Sequence, residues 1–367
     1  MKVILFYIIF LYFLISISFA QEKNQNLKNS DFKIYPRLKY GFIMPHHQSY
    51  RYFIKKHTKS LELNFGFNTS GKKLWHQLYN FPVVGFGIYF ANLGNKDVLG
   101  NVKSIYWYYN NNLYSSSKVK LNFIWSFGFS YLNKVFDAKT NYINIATSSK
   151  LNAHITLGFE SRIKIFRKVY LINGFDFTHL SNGSIKMPNR GLNLISYRLG
   201  FDYVINEKVK EKIFIKEKYK KNYDFFINYS FGIKKTLPVS NPKKYFISII
   251  SADFGKNISY KSRFGLGIDI VNNPSKKILY EKFGIYDTQF TDFVQVGAHF
   301  SYDLKIGNAS LQIHQGYYFY SKIPKSIRPY NRVGFKMKIN KFMFINLTLN
   351  SYFLTADWIE WGFGIYL

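Results

Sequence analysis

Along most of this chain, apolar and polar residues alternate with a period of two. In FVQVGAHFSYDL, Val294, Val296, Ala298, Phe300, Tyr302 and Leu304 fall on one face, and Gln295, Gly297, His299, Ser301 and Asp303 on the other. FFINYSFGI sets Phe225, Ile227, Tyr229, Phe231 and Ile233 against Asn228, Ser230 and Gly232. The final residues oppose Ile359, Trp361, Phe363, Ile365 and Leu367 to Glu360, Gly362, Gly364 and Tyr366. Successive side chains of a strand point to opposite sides of the sheet, so each segment predicts a strand with one greasy and one polar face. Sixteen are predicted, near 33–43, 58–68, 82–92, 102–112, 119–132, 150–163, 166–181, 192–206, 223–235, 243–254, 262–271, 291–304, 308–321, 330–338, 341–350 and 358–367. The charged stretch 206–224 and the irregular stretch 272–290 predict loops, and no domain linker stands out.

A soluble sandwich also alternates, so the pattern alone does not name the solvent. Three features point to a bilayer. The strands are long, as a tilted membrane-crossing strand requires. Aromatic residues crowd their ends, as in interfacial girdles, within a composition of 20% aromatic residues and only 9 prolines. The ending Glu360–x–Gly362–x–x–Ile365–x–Leu367 resembles the C-terminal assembly signal of outer-membrane barrels, with Leu367 where an aromatic residue is usual. After residue 20 no segment approaches the roughly 18 apolar residues of a membrane helix. Backbone polar groups cannot stay unpaired in hydrocarbon, so spanning strands must close on themselves. The expectation is an all-β fold: one transmembrane, antiparallel, up-and-down β-barrel of about 12–16 strands over residues 21–367.

The opening MKVILFYIIFLYFLISISFAQ has a Lys, an unbroken apolar run and the small residues Ser18 and Ala20, which predicts a signal peptide over 1–20 and export to the outer membrane. The chain has no Cys, which excludes a disulfide framework, a thiolate metal site, a thiol nucleophile and a lipoprotein anchor after the cut. A net charge of +31 invites a nucleic-acid partner. An exported chain with scattered Lys and Arg instead suits anionic head groups, outer-leaflet phosphates among them, although a Lys- and Asn-rich compositional habit gives the same number. Outer-membrane lipids are therefore the expected partners, with no nucleic acid; a homodimer is left open.

Candidate chemistry lies in FDFTHLSNGSIKMPNRGLN, residues 175–193. By alternation Phe175, Phe177, His179 and Ser181 share the apolar, outward face of one strand, and Asn193, Ile195 and Tyr197 that of the next. Leaving a hydroxyl or amide unpaired against an apolar phase costs on the order of 1–3 kcal/mol. A hairpin that brings Asn193 beside His179 would let the three bond to one another: Ser181 as nucleophile, His179 as base, Asn193 fixing the imidazole. Asn182 and Gly183 N–H and the Asn189 side chain are candidate oxyanion donors. The same residues before a Gly–Ser loop are also ordinary turn formers, and spacing alone does not separate the two. HHQSY (46–50) offers imidazoles, but no carboxylate at ligand spacing, so no metal site is expected.

HLSNGSIKMPNRG closely resembles the motif of the lipid A 3-O-deacylases of the PagL type, outer-membrane barrels with a His–x–Ser pair and a Pro–Asn–x–Gly turn, here His179, Ser181, Asn182, Pro188, Asn189 and Gly191. That family has a Glu two residues after the Gly, where this chain has Asn193. His–x–Ser–Asn–Gly with an Asn fourteen residues after the His is also similar to outer-membrane phospholipase A. The first resemblance implies an esterase that removes an acyl chain from lipid A of lipopolysaccharide without a cofactor. The second implies a calcium-dependent phospholipase A. A non-enzymatic porin or structural barrel is the third reading. Barrels of the PagL type have eight strands, which places His179 on the seventh and leaves the C-terminal part to enlarge the barrel.

Overall fold

The computed structural model describes residues 32–203, 219–235, 243–323, 326–353 and 355–367. The predicted signal peptide and most of the predicted 206–224 loop lie outside them. Sixteen strands are present among the described residues, all antiparallel to their neighbours. The first eight are β1 (Phe32–Ile43), β2 (Thr58–Asn68), β3 (Val83–Asn92), β4 (Asn101–Ser115), β5 (Val119–Leu132), β6 (Leu151–Lys164), β7 (Val169–Ser181) and β8 (Leu192–Tyr203). The second eight are β9 (Asn222–Lys235), β10 (Lys244–Asn257), β11 (Ser262–Asn272), β12 (Val294–Ile306), β13 (Ala309–Ser321), β14 (Pro329–Lys338), β15 (Met343–Tyr352) and β16 (Thr355–Tyr366). The predicted starts at 166 and 291 move inward. Ile165 N–H and Phe166 N–H both bond Val169 O, so 166–168 form a turn, and Phe290–Phe293 make a 3-10 turn.

The fold is all-β and antiparallel with sixteen up-and-down strands, as expected, but the strands close as two barrels of eight and not as one. β8 returns to β1, with Leu38 opposite Leu199 and Tyr40 opposite Tyr197. β9 pairs with β16, with Phe231 opposite Trp361 and Ile227 opposite Ile365. An eight-strand barrel is just wide enough for side chains to fill, and each lumen holds its own ion-paired interior. In the first, Lys39 Nζ lies 2.5 Å from Glu62 Oε2 and 3.0 Å from Asp176 Oδ2, Arg37 Nη1 lies 2.9 Å from Asp202 Oδ1, and Arg198 pairs with Glu62. In the second, Arg263 bonds Asp253 at 2.5 Å, Arg332 bonds Glu360 at 2.7 Å, and Lys336 bonds Asp303 at 2.6 Å. Lumens filled this way do not suit a porin.

Outside, the polarity is reversed. Leu38, Ile105, Phe175 and Leu266 are each more than 60% exposed, while Arg198, Arg263 and Asp269 are buried. An apolar belt of that extent around a polar interior is what hydrocarbon selects. No helix among the described residues is long and apolar enough to cross a membrane.

The barrels stand side by side. Trp125 and Phe127 on β5 pack on Phe335 of β14, ring centroids 5.6 Å away in both cases. At the end where β1 starts, Tyr79 OH donates to Lys305 O at 2.6 Å. At the opposite end, Ser184 Oγ donates to Ala356 O at 3.0 Å, which ties the β7–β8 loop to the second barrel.

Candidate active site

Alternation along β7 puts Asp176 and Thr178 in the lumen and leaves Phe175, Phe177, His179 and Ser181 outside. On β8, Asn193 sits directly opposite His179. The ladder therefore brings the three predicted residues together on the lipid-facing surface at one rim of the first barrel. His179 Nδ1 lies 2.6 Å from Asn193 Oδ1, and His179 Nε2 lies 2.9 Å from Ser181 Oγ. An amide oxygen can only accept, so Nδ1 carries the proton and Nε2 turns its lone pair toward the serine hydroxyl. That is the tautomer a serine nucleophile needs.

Asn193 is itself held from a loop that spacing did not connect to the site. Its Nδ2 donates to His46 Nδ1 at 3.2 Å, and His46 Nε2–H donates to Arg190 O at 2.9 Å. The neighbouring Tyr50 donates its hydroxyl to Gly191 O, and burial pushes that hydroxyl's pKa well above the usual tyrosine range, so it stays a donor. HHQSY is thus a brace for the 190–193 segment. Its signal in the sequence was two imidazoles and a tyrosine in a short loop, but nothing there tells which strand the loop crosses. Gly191 is required: its φ is +74°, and a Cβ at that position would lie 2.9 Å from His179 Cε1.

The predicted oxyanion donors divide. Asn182 N–H already bonds Asn189 Oδ1 at 3.1 Å, and the Asn182 side chain closes the turn onto Lys186 O at 2.9 Å. Asn182 is accordingly a turn former. Among the described residues Gly183 N–H and Asn189 Nδ2 bond no protein acceptor, and both belong to the loop that follows Ser181. Gly183 has φ +60°, and a Cβ there would meet Ile359 Cδ1 of β16 at 2.6 Å.

A second imidazole cluster lies inside the other barrel. Asp253, His299 and His314 come within metal-ligand range of one another. Both His299 nitrogens already bond carboxylates, Asp269 at 2.8 Å and Asp253 at 3.1 Å. The His299 and His314 rings also stack with planes 4° apart, so their in-plane lone pairs run parallel and do not converge on one ion. The arrangement fits a buried ion-pair network better than a metal centre.

Two closed barrels, apolar outside and charged within, define the chain as an outer-membrane β-barrel protein. Residues 59–202 match the lipid A 3-O-deacylase (PagL) family model, and residues 221–367 match the acyloxyacyl hydrolase C-terminal domain model (PagL_C). The first match covers β2–β8 and the second β9–β16, so the two barrels carry a lipid A 3-O-deacylase domain and an acyloxyacyl hydrolase C-terminal domain, both of ester hydrolases. The chain matches no curated protein. Among solved structures it is similar to a substituted porin from Rh. blastica, with 7% identity, 92% of this chain and 100% of that one covered, and a TM-score of 0.17. It is also similar to CdiB from Acinetobacter baumannii, with 13% identity, 94% and 60% covered, and a TM-score of 0.20. At those scores neither likeness bears on the architecture, which rests on the strand pairing above.

Proposed function

We propose that the protein is a serine esterase that removes an ester-linked acyl chain from lipid A in the outer leaflet. The observation that carries this reading is the single line of hydrogen bonds from Asn193 through His179 to Ser181, placed where an acyl chain in the bilayer would reach it. Ser181 Oγ attacks the ester carbonyl as His179 Nε2 takes its proton. Gly183 N–H and Asn189 Nδ2 donate to the oxyanion. Collapse breaks the ester bond, and the proton on His179 passes to the sugar hydroxyl that leaves. A water molecule, deprotonated by His179, then releases the fatty acid from Ser181.

Wild-type protein expressed in a host whose lipid A carries its full acyl set should yield lipid A lighter by one acyl chain in an intact-mass spectrum, with the matching free fatty acid. Lipid A of unchanged mass would reject the substrate. Fatty acid released from phosphatidylethanolamine micelles and lost on chelation would instead support the calcium-dependent phospholipase reading.

Asn193 orients the imidazole but supplies no negative charge to the imidazolium formed in the transition state. Asn193→Ala should lower kcat on the order of 10²-fold through lost orientation. Asn193→Asp keeps an acceptor opposite Nδ1 and adds charge, so its kcat should equal or exceed that of the wild type. Single-turnover rates on detergent-solubilised lipid A measure both.

A further inference from the structure

The rim of the C-terminal barrel beside the active-site loop is cationic. The β9–β10 hairpin carries Lys234, Lys235, Lys243 and Lys244, and no Asp or Glu occurs between Asp224 and Asp253. Lys235 and Lys244 stand directly opposite each other across the ladder. They share the outward face with the exposed Ile233 and Phe246. Like charges in that position destabilise a strand pair, and pairing within the fold does not explain them.

A third ammonium comes from the other barrel. Lys186 lies on the active-site loop, two residues after Ser184, and the β16–β9 ladder, with Glu360 opposite Gly232, runs Ala356 toward the end of β9 that carries Lys235. The loop is brought there by the Ser184–Ala356 hydrogen bond and the contact of Gly183 with Ile359. The carboxylate next to Ala356 offers no relief, because Asp357 is already held by Lys234 and by Arg328 at 2.9 Å. Lys276, in the turn after β11, is 7% exposed and has no ion-pair partner among the described residues. Burial, then Arg328 and Lys234, hold its ammonium down to about 7. Lys243 pairs with Glu281 at 3.7 Å, which leaves Lys235 and Lys244 as the rim cations in excess of these carboxylates.

We propose that Lys186, Lys235 and Lys244 form a phosphate-binding site across the boundary between the two barrels, which receives a phosphomonoester on the sugar headgroup of the substrate. The site rests on the lipid A reading above. A lipid whose ester reaches Ser181 projects its headgroup to this same rim. A phosphomonoester near neutral pH carries between one and two negative charges, and compact ammonium groups attract it as point charges. The role assigned to the C-terminal barrel is therefore recognition of the charged end of the substrate, while the first barrel holds the ester.

The test uses full-length Ser181→Ala protein, so that binding is read without turnover. Its affinity is measured for micelles of bisphosphorylated lipid A, of the same lipid A after phosphatase treatment, and of phosphatidylglycerol. The protein should bind the bisphosphorylated form at least about tenfold more tightly than the other two. Adding Lys186→Gln, Lys235→Gln and Lys244→Gln should shrink that gap to about threefold or less, and the corresponding three Arg substitutions should keep it. Equal binding of both lipid A forms, a gap that survives the Gln substitutions, or the same gain with phosphatidylglycerol would overturn the proposal. Heat-modifiable migration on gels reports whether each variant has folded. Loss of acyl chains from lipid A by the wild type is scored separately, so failure of the esterase reading is distinguishable from failure of this site.

Discussion

Replacing Ser181 with Ala is expected to leave both barrels folded and to reduce acyl release from lipid A on the order of 10⁴-fold or more. The side chain sits at the outer rim of β7 and among the described residues bonds only His179, so its loss removes the proposed nucleophile without opening a lumen. His179→Ala should cost about as much, and the double variant little more than either single one, because residues that act as one unit are not additive. Intact lipid A masses together with heat-modifiable gel migration check this. Full acyl release by folded Ser181→Ala protein would eliminate the serine mechanism.

The second large effect is on stability. Arg198 lies in the lumen of the first barrel, paired with Glu62 and with Asp176 Oδ2 at 3.5 Å. Arg198→Met leaves those carboxylates with one cation fewer in a site closed to water, and removing one partner of a buried ion pair costs about 3–5 kcal/mol. The variant should lose its folded gel band at a markedly lower temperature. Replacing Glu62 with Leu as well should recover part of the loss, since burying neither charge costs less than burying one. An unchanged transition in Arg198→Met would show that the lumen is hydrated and that these pairs contribute little. Ser196→Ala, at the neighbouring inward position of β8, removes a buried hydroxyl that carries no charge and serves as the control.

Much of the site was legible because a strand has a period of two. Once Phe175 and Phe177 were assigned to lipid, His179 and Ser181 had to follow them outward, and the same rule applied to β8 put Asn193 on the same surface. Hairpin connectivity made β7 and β8 neighbours, and the residue count of the loop set Asn193 opposite His179. His46 and Tyr50 were not legible. They reach the site because β1 closes the barrel against β8, a contact between residues about 150 apart in sequence that no local pattern encodes. The occupation of Asn182 N–H by Asn189 was hidden for a similar reason, since it depends on how the 182–191 turn folds back on itself.

The division into two barrels marks the same boundary. The sequence by itself determined the strands, which face of each meets lipid, and the residue types on the reactive surface, because alternation and hairpin order are local properties. Only the tertiary structure decided where the sheet closes. Closure pairs β8 with β1 and β9 with β16, and it is stabilised by charges meeting across a lumen: Arg198 with Glu62 in one barrel, Arg332 with Asp269 in the other. Such pairs join strands far apart in the chain, and long-range Coulomb complementarity leaves no periodic trace along it.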